Sequence, residues 1–290
     1  MKPTPAERAF NVANYAVFGI LIIATLYPLW YTLIVSVIPF YEYARTPFLL
    51  FPRHIDFEAY KTILAVKIFI NSLKLTVIVT VVGAFASLLV TSMAGYALSK
   101  SAVPGVRLLT LMIVFTMLFG GGLIPQYVIM SRLGLINTYG VYIVWPLVNA
   151  FYLIIIRTSF KSIPQSVEDS AKIDGCGYFT IYVRIVLPMS VPVMAAIGLF
   201  YSVDKWNTLT TALYFVRDVT KQTLQAILLN IVTRYSQSEA MGGLIDTQAV
   251  LIAEKVKAAA IIIATVPILL VYPFLQKHFV KGVMIGALKG

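Results

Sequence analysis

The sequence predicts an all-α polytopic membrane protein with six transmembrane helices, and three observations carry that expectation. Of its 290 residues, 59% are hydrophobic and only 12% are charged, where soluble domains average about 25% charged residues. Mean hydropathy is +0.86. The apolar residues also gather into six separate runs, each near the ~20 residues a helix needs to cross a bilayer core. A soluble chain of this length cannot bury so much apolar side chain, and the same composition excludes disorder.

The first run extends from about Val12 to Val37 and contains Pro28. It is too long for the apolar region of a cleavable leader, and no small-residue cleavage site follows it. The second covers Asn71 to Leu98. The third, Leu108 to Met130, is interrupted by Gly120, Gly121 and Gly122. The fourth, Tyr139 to Ile156, holds Pro146, and the fifth runs from Pro188 to about Val203. The sixth, from about Val256 to Leu275, holds Pro267 and Pro273. Prolines are tolerated inside spans because neighbouring helices re-satisfy the freed carbonyls. Residues 1–290 are therefore expected as a single transmembrane domain.

The net charge of +11 does not indicate nucleic acid, because no basic face interleaved with aromatics appears. Basic residues in short loops suit anionic headgroups and set orientation. With both termini in the cytoplasm, the short inside loops hold the larger positive excess, while residues 40–69 and 205–255 hold most of the outside charge. Cys176 is the single cysteine, so an internal disulfide is impossible, and two histidines far apart in sequence suggest no metal site. The runs also lack the buried acids, bases and histidines of ion-coupled carriers. No Walker A pattern is present. Uphill transport by this chain would draw its energy from another subunit.

One polar segment, residues 162–188, is too patterned for a simple connector. Ser166 with Asp169 three residues on has the form of a capping box, and Glu168 and Asp169 suit the positive end of a short helix. Gly175 and Gly177 end that helix. A second short helix is expected with Phe179, Val183 and Val186 on one face, closed by Pro188. Helices of two turns need a surface to lie on. That surface is either lipid, for an interfacial elbow, or a partner that uses the elbow as a lever.

The run Asp169-Ser170-Ala171-Lys172-Ile173-Asp174-Gly175, followed by Leu187-Pro188, resembles the EAA loop of ABC importer permeases. Asp169 stands for the family's Glu and Ser170 for its middle Ala. Tyr27 to Trp30, Asn71-Ser72, Gly95 to Ser99 and Trp206-Asn207 look like the carbohydrate, maltose-type branch. The run Tyr272 to Met284 is similar to permeases for oligosaccharides or polysaccharides such as alginate and pectin fragments. The resemblance implies a type I importer permease in the bacterial inner membrane, with ATPase-coupling residues Glu168, Asp169, Ser170, Ala171, Asp174, Gly175, Leu187 and Pro188. It implies a second permease chain, two ATPase subunits that hold the ATP and Mg, and an extracytoplasmic solute-binding protein. The chain itself would be no enzyme and carry no cofactor.

The substrate path is less sharply marked. Gly121 and Gly122 either give irregular backbone that lines a solute path or permit a kink and close packing. Asp204, Trp206 and Asn207 combine an aromatic face with polar groups suited to sugars, or form an interfacial belt with a helix-ending Asn. Residues 208–255 make an insertion far longer than an ordinary connection; the resemblance implies contact with the binding protein, and the alternative is a solvated loop. The basic tail from Lys277 fits either ATPase subunits or anionic lipid. Two other readings stay open on the residues alone: an ion-coupled secondary sugar carrier and a non-transport membrane scaffold.

Overall fold

A computed structural model describes residues 4–45, 50–240 and 252–271, and their regular elements are all helical. The run Tyr272 to Met284 and the basic tail lie outside the described residues. The chain divides into two compact units: residues 1–69 with 228–266, and residues 70–227 with 267–290.

In the first unit, α1 (Pro5–Val37) opens with a capping box in which Thr4 and Glu7 satisfy each other's backbone N–H groups. Most of α1 is apolar and exposed, as expected of a helix facing lipid or other chains. Its end packs with α3 (Glu58–Ala65). Between them, α2 (Phe40–Arg45) carries Glu42, whose buried carboxylate accepts from the N–H groups of Arg53 (2.9 Å) and His54 (3.2 Å). The Glu58 N–H, donating to Asp56 at 2.9 Å, leads in holding Asp56 below the usual carboxylate range, and a 3.2 Å ion pair with Lys255 adds to it.

The second unit is built on α4 (Lys67–Ser99), which begins in the first. Beyond it come α5 (Val106–Leu118), α6 (Leu123–Arg132), the short α7 (Gly140–Val144) and α8 (Ala150–Lys161). The elbow is α9 (Gln165–Ile173), then α10 (Tyr178–Ile181), a π-helical turn Tyr182–Val186 and α11 (Leu187–Met189). It feeds α12 (Val191–Trp206), α13 (Thr210–Phe215) and the start of α14 (Leu224–Ala240), which belongs to the first unit from residue 228 onward. Residues 252–271 form a last helix, α15, which belongs to the first unit as far as residue 266. Residues 208–255, expected as a loop, are thus largely helical as far as Ala240. Residues 241–251, with the Gly242-Gly243 pair, lie outside the described residues.

The spans differ in kind. Two helices, Phe10–Val37 and Lys67–Ser99, are each long and apolar enough to cross a membrane. The third run is bent by 119° between Val106–Leu118 and Leu123–Arg132, and the fifth meets the elbow at 86°. Counting each bent pair as one span gives up to four among the described residues. The fourth run is not one helix: α7 ends at Val144 and α8 starts only at Ala150, where Asn149 caps it by accepting from Phe151 and Tyr152 N–H groups. The sixth run is helical through residue 271.

Two apolar clusters make the core of this unit. One joins α4, α8, the elbow and α12 through Tyr96, Ile156, Phe160, Ala171, Tyr182 and Tyr201. The other joins α4, α6, α7 and α13 through Val79, Met130, Tyr142 and Phe215. α4 serves both, and its inner face carries several hydroxyl residues that bond across the contacts. Ser92 meets the Tyr182 hydroxyl at 2.7 Å, Thr91 meets that of Tyr201 at 2.7 Å, and Thr76 accepts from the Leu224 N–H at 2.8 Å. At Gly95 a Cβ would lie 2.8 Å from Cγ2 of fully buried Ile156. Gly95→Val is expected to destabilise the folded chain by about 1–3 kcal/mol through overpacking, read as a lower thermal midpoint of the purified protein. Ile156→Ala should recover part of the loss. A midpoint unmoved by Gly95→Val would mean that the α4–α8 contact is not close.

Candidate functional site

The elbow is part of the bundle on one side and bare on the other. α9 has Pro164 as its N-cap and no side-chain cap, so the expected Ser166 capping box does not form. Ser166 already lies inside the helix. Asp169 instead accepts from Gln165 Nε2 (3.1 Å) and Lys172 Nζ (3.2 Å). The Gln165 bond first, then Lys172, holds the exposed Asp169 carboxyl below its ordinary range. The Ser170 hydroxyl donates to Ser166 O at 2.9 Å.

The helix ends where glycine was expected to end it. Asp174 is the C-cap and Gly175 adopts φ +80°. The Gly175 N–H donates to Lys172 O, and the Cys176 N–H to Ala171 O, both at 2.9 Å, which is the paired bonding of a Schellman motif. A Cβ at Gly175 would meet nothing within 4 Å, so glycine is demanded there by backbone conformation rather than by space.

Beyond the turn the expected face shifts. Ile181, Tyr182 and Val186 point inward, while Phe179 and Val183 are exposed. A π-helical turn follows at Tyr182–Val186. Pro188 offers no N–H and its ring crowds the preceding carbonyls. The wider turn accommodates it. Leu187 is half-buried against the core and Pro188 exposed. The outward surface shows Ile173, Tyr178 and Phe179, at 87%, 62% and 69% exposure, beside Asp169 and Lys172.

Glu168 differs from its neighbours: it is 1% exposed, within the bundle. It forms an ion pair with Lys100, just past the end of α4. Lys100 Nζ also lies 4.5 Å from the centre of the Tyr96 ring. Oε2 of Glu168 has no hydrogen-bond partner among the described residues. The elbow is therefore tied to α4 by a charge pair out of water, beside Ala171 in the core.

At Asp204 a cavity of about 330 Å³ opens among Gln126, Trp145, Asn149, Tyr201 and Tyr214. Asp204 and Asn207 both line it, and Asp204 Oδ2 accepts from the Tyr152 hydroxyl at 2.9 Å. Asn207 Nδ2 donates to Val203 O at 3.0 Å. Trp206 is 7% exposed and lines a different, apolar hollow with Val77, Leu199 and Ile268. The expected trio is thus divided, because successive side chains on a helix do not face one another. Gly121 and Gly122 form the break between α5 and α6, Gly122 with φ +79°, and neither lines this cavity.

The residue that organises the cavity wall was not among those expected. Lys205 is 2% exposed. Its Nζ donates toward the carbonyls of Tyr142 (2.8 Å), Pro146 (3.1 Å), Ile143 (3.3 Å) and Trp145 (3.5 Å). These belong to the end of α7 and the irregular stretch after it, which have no following helix turn to bond them. The Lys205 stem lies along Gly83, where a Cβ would approach its Cδ to 3.1 Å. The available signal was a lysine two residues beyond an apolar run, which sequence alone reads as a span end.

The elbow, the interrupted spans and the α4-centred bundle are, among the described residues, those of a helical membrane protein. The chain belongs to the family of binding-protein-dependent transport system inner membrane components, whose pattern it matches over residues 9–285. It is 41% identical over 290 residues to Protein LplC of Bacillus subtilis (strain 168), covering 100% of this chain and 98% of that one. It is 38% identical over 284 residues to the polygalacturonan/rhamnogalacturonan transport system permease protein YtcP of the same organism, covering 98% and 99%. Among solved structures, a bacterial ABC transporter involved in the import of the acidic polysaccharide alginate has a chain matching with TM-score 0.87 and 29% identity, over 96% of this chain and 99% of that one.

Two experiments test the buried charges. Lys205→Met leaves several carbonyls unpaired and is expected to cost about 1–3 kcal/mol, measured as a lower thermal midpoint in detergent. An unchanged midpoint would mean that the carbonyls find other donors. For the elbow, Lys100→Met or Glu168→Gln alone should cost about 3–5 kcal/mol, and the pair together much less than their sum. A double-mutant cycle that closes additively would show that the two charges do not interact.

Proposed function

We propose that this chain is a permease subunit of an ATP-driven importer of an oligosaccharide or polysaccharide, lining part of the path and coupling it to a separate ATPase. The observation that carries this reading is the two-sided elbow. Ala171, Ile181 and Tyr182 lie in the bundle core while Ile173, Tyr178 and Phe179 are bare, which is the arrangement of a part that receives force from a docked partner. The polysaccharide relatives favour a carbohydrate cargo.

In this reading the assembly holds a second, homologous permease, two ATPase subunits carrying ATP and Mg, and an extracytoplasmic binding protein. The ATPase subunits close on ATP and drag residues 162–188 with them. Because Glu168 is paired with Lys100, the displacement passes to α4 and the bundle alternates between its two openings. The ATP-bound partner supplies the differential free energy for that switch. The elbow and both termini face the cytoplasm, and residues 208–255 face outward toward the binding protein. Asp204 and Asn207 are the polar groups offered to sugar hydroxyls in the cavity.

The test uses the reconstituted importer with its partner permease, ATPase and binding protein. Gly175→Val forces a β-branched residue into φ +80°, whereas asparagine tolerates that region. Gly175→Val is expected to reach the membrane yet lose at least tenfold in oligosaccharide uptake and in substrate-stimulated ATP hydrolysis, with Gly175→Asn retaining most of both. Full uptake and stimulation in Gly175→Val would sink the coupling role. Uptake that persists without ATP would sink the importer reading.

A further inference from the structure

The turn from α4 to α5 and the end of α8, against which α5 packs, enclose an open cavity of about 750 Å³ that the transport reading does not use. Its walls are of two kinds. Arg107 from the first turn of α5, with Arg157 and Lys161 from the last turns of α8, supply three cationic side chains, while Leu98, Leu111 and Val114 supply apolar surface. Among the described residues no carboxylate lines it. Arg107, Arg157 and Lys161 form no ion pair among the described residues. Among the described residues their one hydrogen bond is from Arg157 Nε to Leu98 O at 2.9 Å, which closes the end of α4. α5 also starts at Gly105 without a side-chain cap, so its positive end adds to the same field.

Three like charges gathered at the margin of an apolar bundle, Arg107 and Lys161 exposed and Arg157 half-buried, repel one another and together attract an anion. An anion that enters must also cover apolar wall. The face of α5 continuing away from the cations exposes Leu108, Leu111, Met112 and Phe115, each more than half exposed. Free phosphate would satisfy the charges and leave that wall bare. A molecule with an anionic head and long apolar chains satisfies both.

We propose that this cavity binds the headgroup of an anionic phospholipid, whose acyl chains lie along the exposed face of α5. Arg107 and Lys161 hold the phosphate. Arg157 adds charge while keeping its bond to the end of α4. The proposal rests on the chain's place in a membrane and not on the direction or cargo of transport.

The experiment uses the assembled importer in nanodiscs containing phosphatidylglycerol and phosphatidylcholine, with retained lipid counted by native mass spectrometry. The wild type should retain phosphatidylglycerol in preference to phosphatidylcholine, and inorganic phosphate should not displace it. Arg107→Gln with Lys161→Gln, which spares the Arg157 bond, should weaken phosphatidylglycerol retention about tenfold and leave phosphatidylcholine unchanged. Should the double variant fail to assemble, Lys161→Gln alone is expected to lose about threefold. Three results would overturn the proposal: equal retention by variant and wild type, displacement by phosphate alone, or a photo-crosslinker at position 107 that captures a partner subunit instead of lipid.

Discussion

A helix broken inside an apolar bundle leaves carbonyls that water does not reach, and the second unit is arranged around that constraint. Lys205 meets it most directly. One ammonium, with three protons to give, serves four carbonyls at the end of α7 and just after it. Because that backbone stays irregular rather than helical, α7 and α8 leave room between them for Trp145 and Asn149 to line a cavity with Asp204. The charge is kept from water, yet every proton has an oxygen to face, which is the condition for burying it at tolerable cost.

The same economy recurs elsewhere in the unit. Thr91, the Tyr201 hydroxyl and the Asn149 N–H form a short chain of bonds joining α4, α12 and the start of α8. Near the other end of α7, the Tyr142 hydroxyl donates to Lys221 O, and Asn137 exchanges bonds with residues 215, 218 and 221. Hydroxyls and small residues let neighbouring helices approach closely and bond across the contact. Glycines at 83, 95 and 198 set how near the neighbouring side chains come.

At the elbow, charge and apolar packing divide the work. The Schellman turn and the π-helical turn each redirect the chain without leaving backbone groups stranded. The Glu168–Lys100 pair then fixes α9 against α4 at a point where removal of either charge would leave the other unpaired and out of water. A joint of this kind is stiff, as a segment passing movement to the bundle must be. The cations around Arg107 and Arg157 lie past the same end of α4, so elbow and lipid contact share one helix terminus.

Much of this was legible in the residue order. Composition and run length define a helical membrane chain because the bilayer sets a length scale that any span must match. Gly175 announced its turn because few residues other than glycine adopt positive φ without strain, and the polar patterning of 162–188 separated the elbow from ordinary connectors. The placement of side chains around those features was decided only in three dimensions. Glu168 and Asp169 are adjacent acids in sequence, yet one is buried against Lys100 and the other is exposed, since one residue step turns a helix by about 100°. Asp204 and Trp206 part company for the same reason. Lys205 reads as a span-end cation until the break in another helix, sixty residues earlier, supplies the carbonyls it serves. Local propensity and hydropathy are properties of the chain nearby, whereas the partner of a buried charge is set by which distant backbone is left unpaired.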